Sequence, residues 1–237
     1  MRREHRRELR HDRFVDEIGT LSARARDNQR LLVIVTAIVV VGAIAAYGTY
    51  FYRSSREQRA QDALAVAIET VDSPLLPPAG GQVAPGAKYK TEAERNAAAE
   101  KQFKDAESKF SGTDAADVAK LYLARIDASR GDVVGARRLL TDFIRDHPKH
   151  MLVGSARYSL YQLRIESGEV PQVISELSAE VAKSEPVLPP DTLLVLLAHA
   201  YDAQGNGEKS NETYRRIATE FPDSPYALEA QRRIGSA

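Results

Sequence analysis

Three kinds of hydrophobic pattern follow one another along the chain. Residues 31–52, LLVIVTAIVVVGAIAAYGTYFY, run for 22 residues without a charge between Arg30 and Arg53. A helix of that length reaches about 33 Å, enough to cross a hydrocarbon core of about 30 Å. Eleven of these residues are Leu, Ile, Val or Phe; at roughly −0.3 to −0.6 kcal/mol each they favour insertion by several kcal/mol, with no charge opposing. The pattern predicts a transmembrane helix over 31–52. In the next segment Ala60, Leu64, Ala67, Ile68 and Val71 recur at helical spacing, which predicts a juxtamembrane helix over 53–72. Four Pro and three Gly between Ser73 and Lys90 then predict a loop over 73–90.

From residue 91 to 237 the pattern is helical throughout and repeats itself. Gly131, Gly168 and Gly205 are spaced by 37 residues, and Pro148 and Pro222 by 74. Steps of 37 link Phe103, Leu140, Leu177 and Tyr214, then Ala99, Ala136, Val173 and Ser210, then Phe110, His147, Ser184 and Phe221. A period in this range, made of helical patterns alone, predicts a helix-turn-helix solenoid. Within one unit Leu123, Ala124 and Ile126 form the apolar side of a first helix. Gly131 can close that helix in the left-handed conformation, and Ala136, Leu140 and Phe143 sit at i, i+4 and i+7 on a second helix. Pro148 stops the second helix. The last unit repeats the scheme; the middle unit fits less well, with Tyr161 where a small residue is expected. A final helix over 224–234 caps the stack. The predicted fold is all-α: one transmembrane helix followed by a solenoid of about 3.5 repeats.

Composition narrows the function. The 237 residues hold 33 basic and 33 acidic side chains. Residues 1–30 carry nine Arg against six acids, leaving the remainder slightly acidic. A body without basic excess cannot neutralise phosphates along a nucleic acid, so no nucleic-acid partner is expected. Without any cysteine the chain forms no disulfide, thiolate metal site or Cys-linked lipid anchor.

Orientation follows from the basic residues. Four lie within twenty residues before the span (Arg13, Arg24, Arg26, Arg30) and three after it (Arg53, Arg56, Arg59). Five more Arg in residues 1–10 favour a cytoplasmic head, residues 1–30, and an extracytoplasmic body. Ala43-Ile44-Ala45 offers a signal-cleavage site, but the long head and the apolar run continuing to Phe51 favour retention as an anchor. Phe14, Ile18 and Leu21 recur at helical spacing and fit either a surface-lying helix or a solvated tail. Gly42 and Ala46 form a small-xxx-small pair that would let another membrane helix approach.

The repeats resemble tetratricopeptide repeats. Ala124, Gly131, Ala136, Leu140 and Pro148 hold the signature positions in one unit, and Ala198, Tyr201, Gly205, Tyr214 and Pro222 hold them in another. The period of 37, against the usual 34, implies longer inter-repeat turns. By analogy with such repeats, the concave surface takes Leu121, Arg125 and Ala128, then Tyr158, Gln162 and Ile165, then Val195, His199 and Asp202. The Lys and Asn positions with which some such repeats clamp a terminal carboxylate are missing. The layout of charged head (HDRFVDEIG), single span, juxtamembrane helix, Pro/Gly break and repeats resembles the ancillary Sec-translocon subunit family. That resemblance implies a bacterial inner-membrane protein with a periplasmic repeat domain that contacts the translocon, periplasmic chaperones or client proteins.

No motif speaks for catalysis or a cofactor. Gly205-Asn206-Gly207-Glu208-Lys209-Ser210 is similar to a phosphate loop only superficially, because Glu208 intervenes and no strand precedes it. His147 and His150 flank Pro148 without an obvious acid nearby, a poor metal site. The expected protein is a membrane-anchored adaptor at the site of export, with no enzymatic activity, metal, cofactor or small-molecule substrate. A cell-envelope scaffold in division or outer-membrane assembly is the alternative, because Phe221-Pro222-Asp223-Ser224-Pro225-Tyr226 resembles repeats of such proteins. Cell-envelope scaffolds lacking an anchor require signal cleavage.

Overall fold

The computed structural model describes residues 29–78 and 81–235. The helical spacing noted at Phe14, Ile18 and Leu21 lies outside them. In chain order the helices are α1 Gln29–Asp72, α2 Glu92–Lys109, α3 Asp114–Ser129, α4 Val133–Asp146, α5 Val153–Glu166, α6 Val170–Val181, α7 Pro190–Ala203, α8 Gly207–Glu220 and α9 Ala227–Gly235. The chain forms two compact units, Met1–Arg56 and Glu57–Ala237.

In the first unit, α1 carries the apolar stretch. None of its most hydrophobic window is buried and its mean hydropathy is 2.6, so the helix is long and apolar enough to cross a membrane. Large apolar side chains point outward all around it, Val33, Val41, Ile44 and Tyr50 among them. In water this surface would be costly. The Thr49 hydroxyl, near the tyrosine-rich end, donates to the Ala45 carbonyl at 2.8 Å, which satisfies it within the helix.

The second unit is the solenoid. Residues 57–72 of α1 pair with α2 as a complete first repeat, filling the half-repeat legible from the sequence. Ala67 of α1 is fully buried with Ala99, Phe103 and Ala106 of α2 and with Ala119, Leu123 and Ile126 of α3, while Leu64, Ile68 and Val71 pack beside them. Phe103 stacks on Tyr122 with ring centroids 4.9 Å apart. The carboxylate of Glu57 accepts hydrogen bonds from the backbone N–H of Asp114 (2.9 Å) and of Ala115 (3.1 Å), the first residues of α3. The Thr113 hydroxyl accepts from Ala116 N–H at 3.2 Å. Three orphan donors at this helix start are thereby satisfied, and a negative charge sits at the positive end of the helix dipole.

Further repeats pair α3 with α4, α5 with α6, and α7 with α8, with α9 as the cap. Both 37-step series of apolar positions fall in the core. Ala99, Ala136, Val173 and Ser210 are at most 1% exposed, and Phe103, Leu140, Leu177 and Tyr214 at most 5%. The first series is small because the two helices of a repeat touch there. Gly131, Gly168 and Gly205 take φ of 81°, 90° and 78°, a region where a Cβ clashes with the backbone. Each supports the same closure: Asp132, Glu169 and Asn206 donate their backbone N–H to the carbonyls of Asp127, Arg164 and Tyr201, each at 2.9 Å. Asp132 and Asn206 then cap the next helix through their side chains.

The residues beyond a 34-residue unit sit in the inter-repeat loops 147–152, 182–189 and 221–226. The 73–91 connection lies inside the first repeat, between its two helices. It closes through an isolated bridge between Leu75 and Tyr89 and a hydrogen bond from Arg95 to the Ser73 carbonyl at 3.1 Å.

Candidate protein-binding groove

Stacked first helices leave a cleft wherever facing side chains are small. Between α3 and α5 that cleft encloses about 500 Å³, floored by Leu140 and Leu163 and walled by Leu121, Arg125, Ala128, Ser155, Ser159 and Gln162. Its apolar floor comes from the core cluster of Ala124, Ala136, Leu140, Phe143, Ala156 and Leu163. Two charged groups stand along it, Arg125 on α3 and Glu166 on α5. Both are exposed, and neither has an ion-pair partner among the described residues.

The structure therefore brings together four of the nine residues expected to line a concave surface: Leu121, Arg125, Ala128 and Gln162. Tyr158 is half-buried between two core clusters. Its hydroxyl accepts from the Gln162 amide at 3.1 Å, and burial pushes its pKa up. Ile165 and Val195 correct the expectation: at 9% and 0% exposure they belong to the core. Helix α7 is apolar on nearly every side, with Leu193 through Ala198 all buried, so its spacing alone could not separate a groove face from a core face. His199 and Asp202 hold the capping helix instead of lining an open groove. His199 Nε2 lies 3.0 Å from Glu229 Oε1, and Arg233 donates to Asp202 at 3.2 Å. Gly42 and Ala46 lie on the exposed surface of α1, and a Cβ on Gly42 would meet nothing within 4 Å.

Spacing along the sequence did not reveal Ser155, Ser159 and Glu166. It assigns one face to each first helix, whereas a cleft takes the trailing face of one helix and the leading face of the next. Nor did it reveal an acid near His147 and His150. The fold supplies Asp117 to the first at 3.1 Å and Asp114 to the second at 2.8 Å. Because His150 Nδ1 accepts the Leu152 N–H at 3.0 Å, its Nε2 carries the proton given to Asp114. These contacts fasten loop 147–152 to the start of α3. Among the described residues no group of three or more potential metal ligands converges.

Ion pairs link neighbouring helices of the stack. Arg164 donates to both oxygens of Glu176 at 2.6 and 2.7 Å and to Glu169 at 3.0 Å. Arg137 of the preceding repeat also donates to Glu169. The hydrogen bonds that Arg164 donates to Glu176 raise the Arg164 pKa, and that arginine lowers Glu176 in return. In the first junction Arg130 reaches Glu100 at 2.6 Å, and this hydrogen bond, with that from Lys104, holds the Glu100 pKa down to about 2.

Known families agree with this geometry. A family model described as a tetratricopeptide repeat-like domain matches residues 29–185, more than half of the chain. A tetratricopeptide repeat model matches residues 193–224. Two solved structures of Podosopora anserina putative kinesin light chain repeats, described as nearly identical and TPR-like, are similar at 15% identity and a TM-score of 0.49. Each match covers 76% of this chain and 85% of the other. No curated protein matches.

Proposed function

The chain belongs to the tetratricopeptide repeat-like domain family, a protein-interaction scaffold, and from that premise we propose that it is a membrane-anchored adaptor that holds proteins at the site of export. One observation carries the reading. A single chain joins a helix with a fully exposed apolar stretch to a repeat array whose open cleft displays unpaired polar groups over an apolar floor. An apolar floor with sparse polar groups suits loosely specific contact with peptides or partner helices.

In this proposal residues 31–52 span the bacterial inner membrane, with the head cytoplasmic and the repeats periplasmic. The small face at Gly42 and Ala46 seats the span against a channel subunit, where close backbone approach replaces the hydrophobic drive that lipid removes. The repeats then contact the Sec translocon, periplasmic chaperones or clients. The resemblance of the whole layout to ancillary translocon subunits supports this assignment. In-membrane crosslinking from the repeat domain, followed by mass identification, tests the proposal. Translocon or export-chaperone subunits are the expected products; recovery of division or outer-membrane-assembly proteins alone would replace it with the scaffold role.

A further inference from the structure

The repeat period allows one junction of the solenoid to be compared with another, position by position. Helices α5, α7 and α9 begin at Val153, Pro190 and Ala227, each 37 residues after the last. Ser155, Thr192 and Glu229 are therefore equivalent as third residues. On the helices they face, Arg125, Gln162 and His199 are equivalent, each six residues before a turn glycine. At the C-terminal junction a carboxylate fills this place. Glu229 pairs with His199 at 3.0 Å and accepts from the Tyr214 hydroxyl at 3.3 Å, while Arg233 pairs with Asp202.

Two repeats earlier, the same five places hold Ser155, Arg125, Leu140, Ser159 and Ala128. All five line the 500 Å³ cleft. The junction has the same frame, but Glu, Arg, Asp and Tyr are cut back to Ser, Ser, Ala and Leu. The cleft is the space those side chains would fill. Only the carboxylate's nitrogen partner is kept: Arg125 stands where His199 meets Glu229, without an acid of its own among the described residues. The middle junction, with Gln162 and Thr192, is neutral and raises no such demand.

We propose that the cleft between α3 and α5 binds a partner peptide through one Glu or Asp side chain, seated against Arg125 as Glu229 is seated against His199. This rests on the groove reading above and adds the chemistry of what is bound. An apolar neighbour of the acid covers Leu121 and Leu140. Glu166, eleven residues beyond Ser155 on α5, lies about 16 Å further along the cleft. It repels a second carboxylate there, so the cleft selects a single acid over an acidic run.

The test uses the full-length protein in detergent and three acetylated, amidated twelve-residue peptides, identical but for a central Glu, Gln or Lys beside a leucine. The Glu peptide should bind roughly fivefold more tightly than the Gln peptide, the ratio expected for one partly exposed ion pair. Arg125→Gln should abolish that preference and Arg125→Glu should turn it toward Lys. Ser155→Glu, which supplies an internal carboxylate, should block all three. Arg125 is exposed and unpaired, so circular dichroism should show these variants folded. A Glu preference that survives Arg125→Gln overturns the proposal. So does Arg125-dependent binding of the Gln peptide made with a free C-terminus, at least as tight as that of the amidated Glu peptide. Failure of every peptide while crosslinks from Ser159 persist in membranes overturns this inference and leaves the groove reading standing; loss of both overturns both.

Discussion

Glu57 offers a sharp test of how the repeat domain begins. Its carboxylate accepts from the first two backbone N–H groups of α3, at 2.9 and 3.1 Å, and it is reached across 57 residues of sequence. Glu57→Ala removes both acceptors and the negative charge, while the Thr113 cap on Ala116 remains. Side-chain caps are worth about 0.5–2 kcal/mol, and a charge beside a helix N-terminus about 0.3–1 kcal/mol. The Asp114 N–H is exposed and can turn to water, so the lower half of the combined range applies, about 1–2 kcal/mol. For a unit of this size each kcal/mol moves Tm by about 2–4 °C, giving an expected fall of about 2–8 °C. The chain has no Trp, so the melt is followed by circular dichroism at 222 nm on the full-length protein in detergent. Glu69, exposed on the same helix, is the control, and its Ala variant should stay within about 0.5 kcal/mol of the parent. Equal melting of Glu57→Ala and Glu69→Ala would refute the claim that residues 57–72 act as the first helix of the solenoid through this clasp.

Other expectations follow the same physics. Gly205→Val places a β-branched residue at φ 78° and should cost about 1–2 kcal/mol or more, read as a lower Tm; an unchanged melt would disprove the turn geometry. Ser210 is 1% exposed with its hydroxyl unpartnered, at a position held elsewhere by Ala99, Ala136 and Val173. Ser210→Ala should therefore be neutral or stabilising by up to about 1 kcal/mol, and a clear loss in Tm would mean that the hydroxyl has a partner. The folded pKa of Glu100 is depressed, from 4.5 to about 2, so its stabilisation is present above about pH 4.5 and is lost as pH falls toward 2. Glu100→Gln should flatten stability across that window and leave the slope above pH 5 unchanged; an unaltered acid limb would contradict the pairing with Arg130. Protease added to the periplasmic face of a sealed inner membrane should digest the repeats and spare the head, and protection of the repeats would reverse the orientation.

Much of the fold was legible because the repeat imposes the same physical demand every 37 residues. Gly131, Gly168 and Gly205 are needed at left-handed turns, and Ala99, Ala136 and Val173 at close helix contacts, so their spacing reads directly as architecture. The first repeat was only half legible. Its helices are separated by the 73–91 insertion, which breaks the period, and its first helix runs on from the apolar stretch without a cap to mark it. Glu57 carries no local signal because its partners lie on α3. The groove was read least well on α7, where burial on all sides hides which face is which. Ser155 and Ser159 carry no signal of their own, because their meaning is what they lack relative to Glu229 and Arg233. That comparison requires the facing helices to be known.

In the proposed function, the cleft between α3 and α5 receives a partner while the protein is anchored in a membrane. A photo-crosslinking residue placed singly at Ser159, inside the cleft, and at Arg215, exposed on α8, tests it in intact cells. Discrete adducts with translocon, chaperone or client proteins are expected from position 159, reduced by Ser155→Glu, and none of these from position 215. Equal adducts from both positions, or adducts at 159 indifferent to Ser155→Glu, would contradict it.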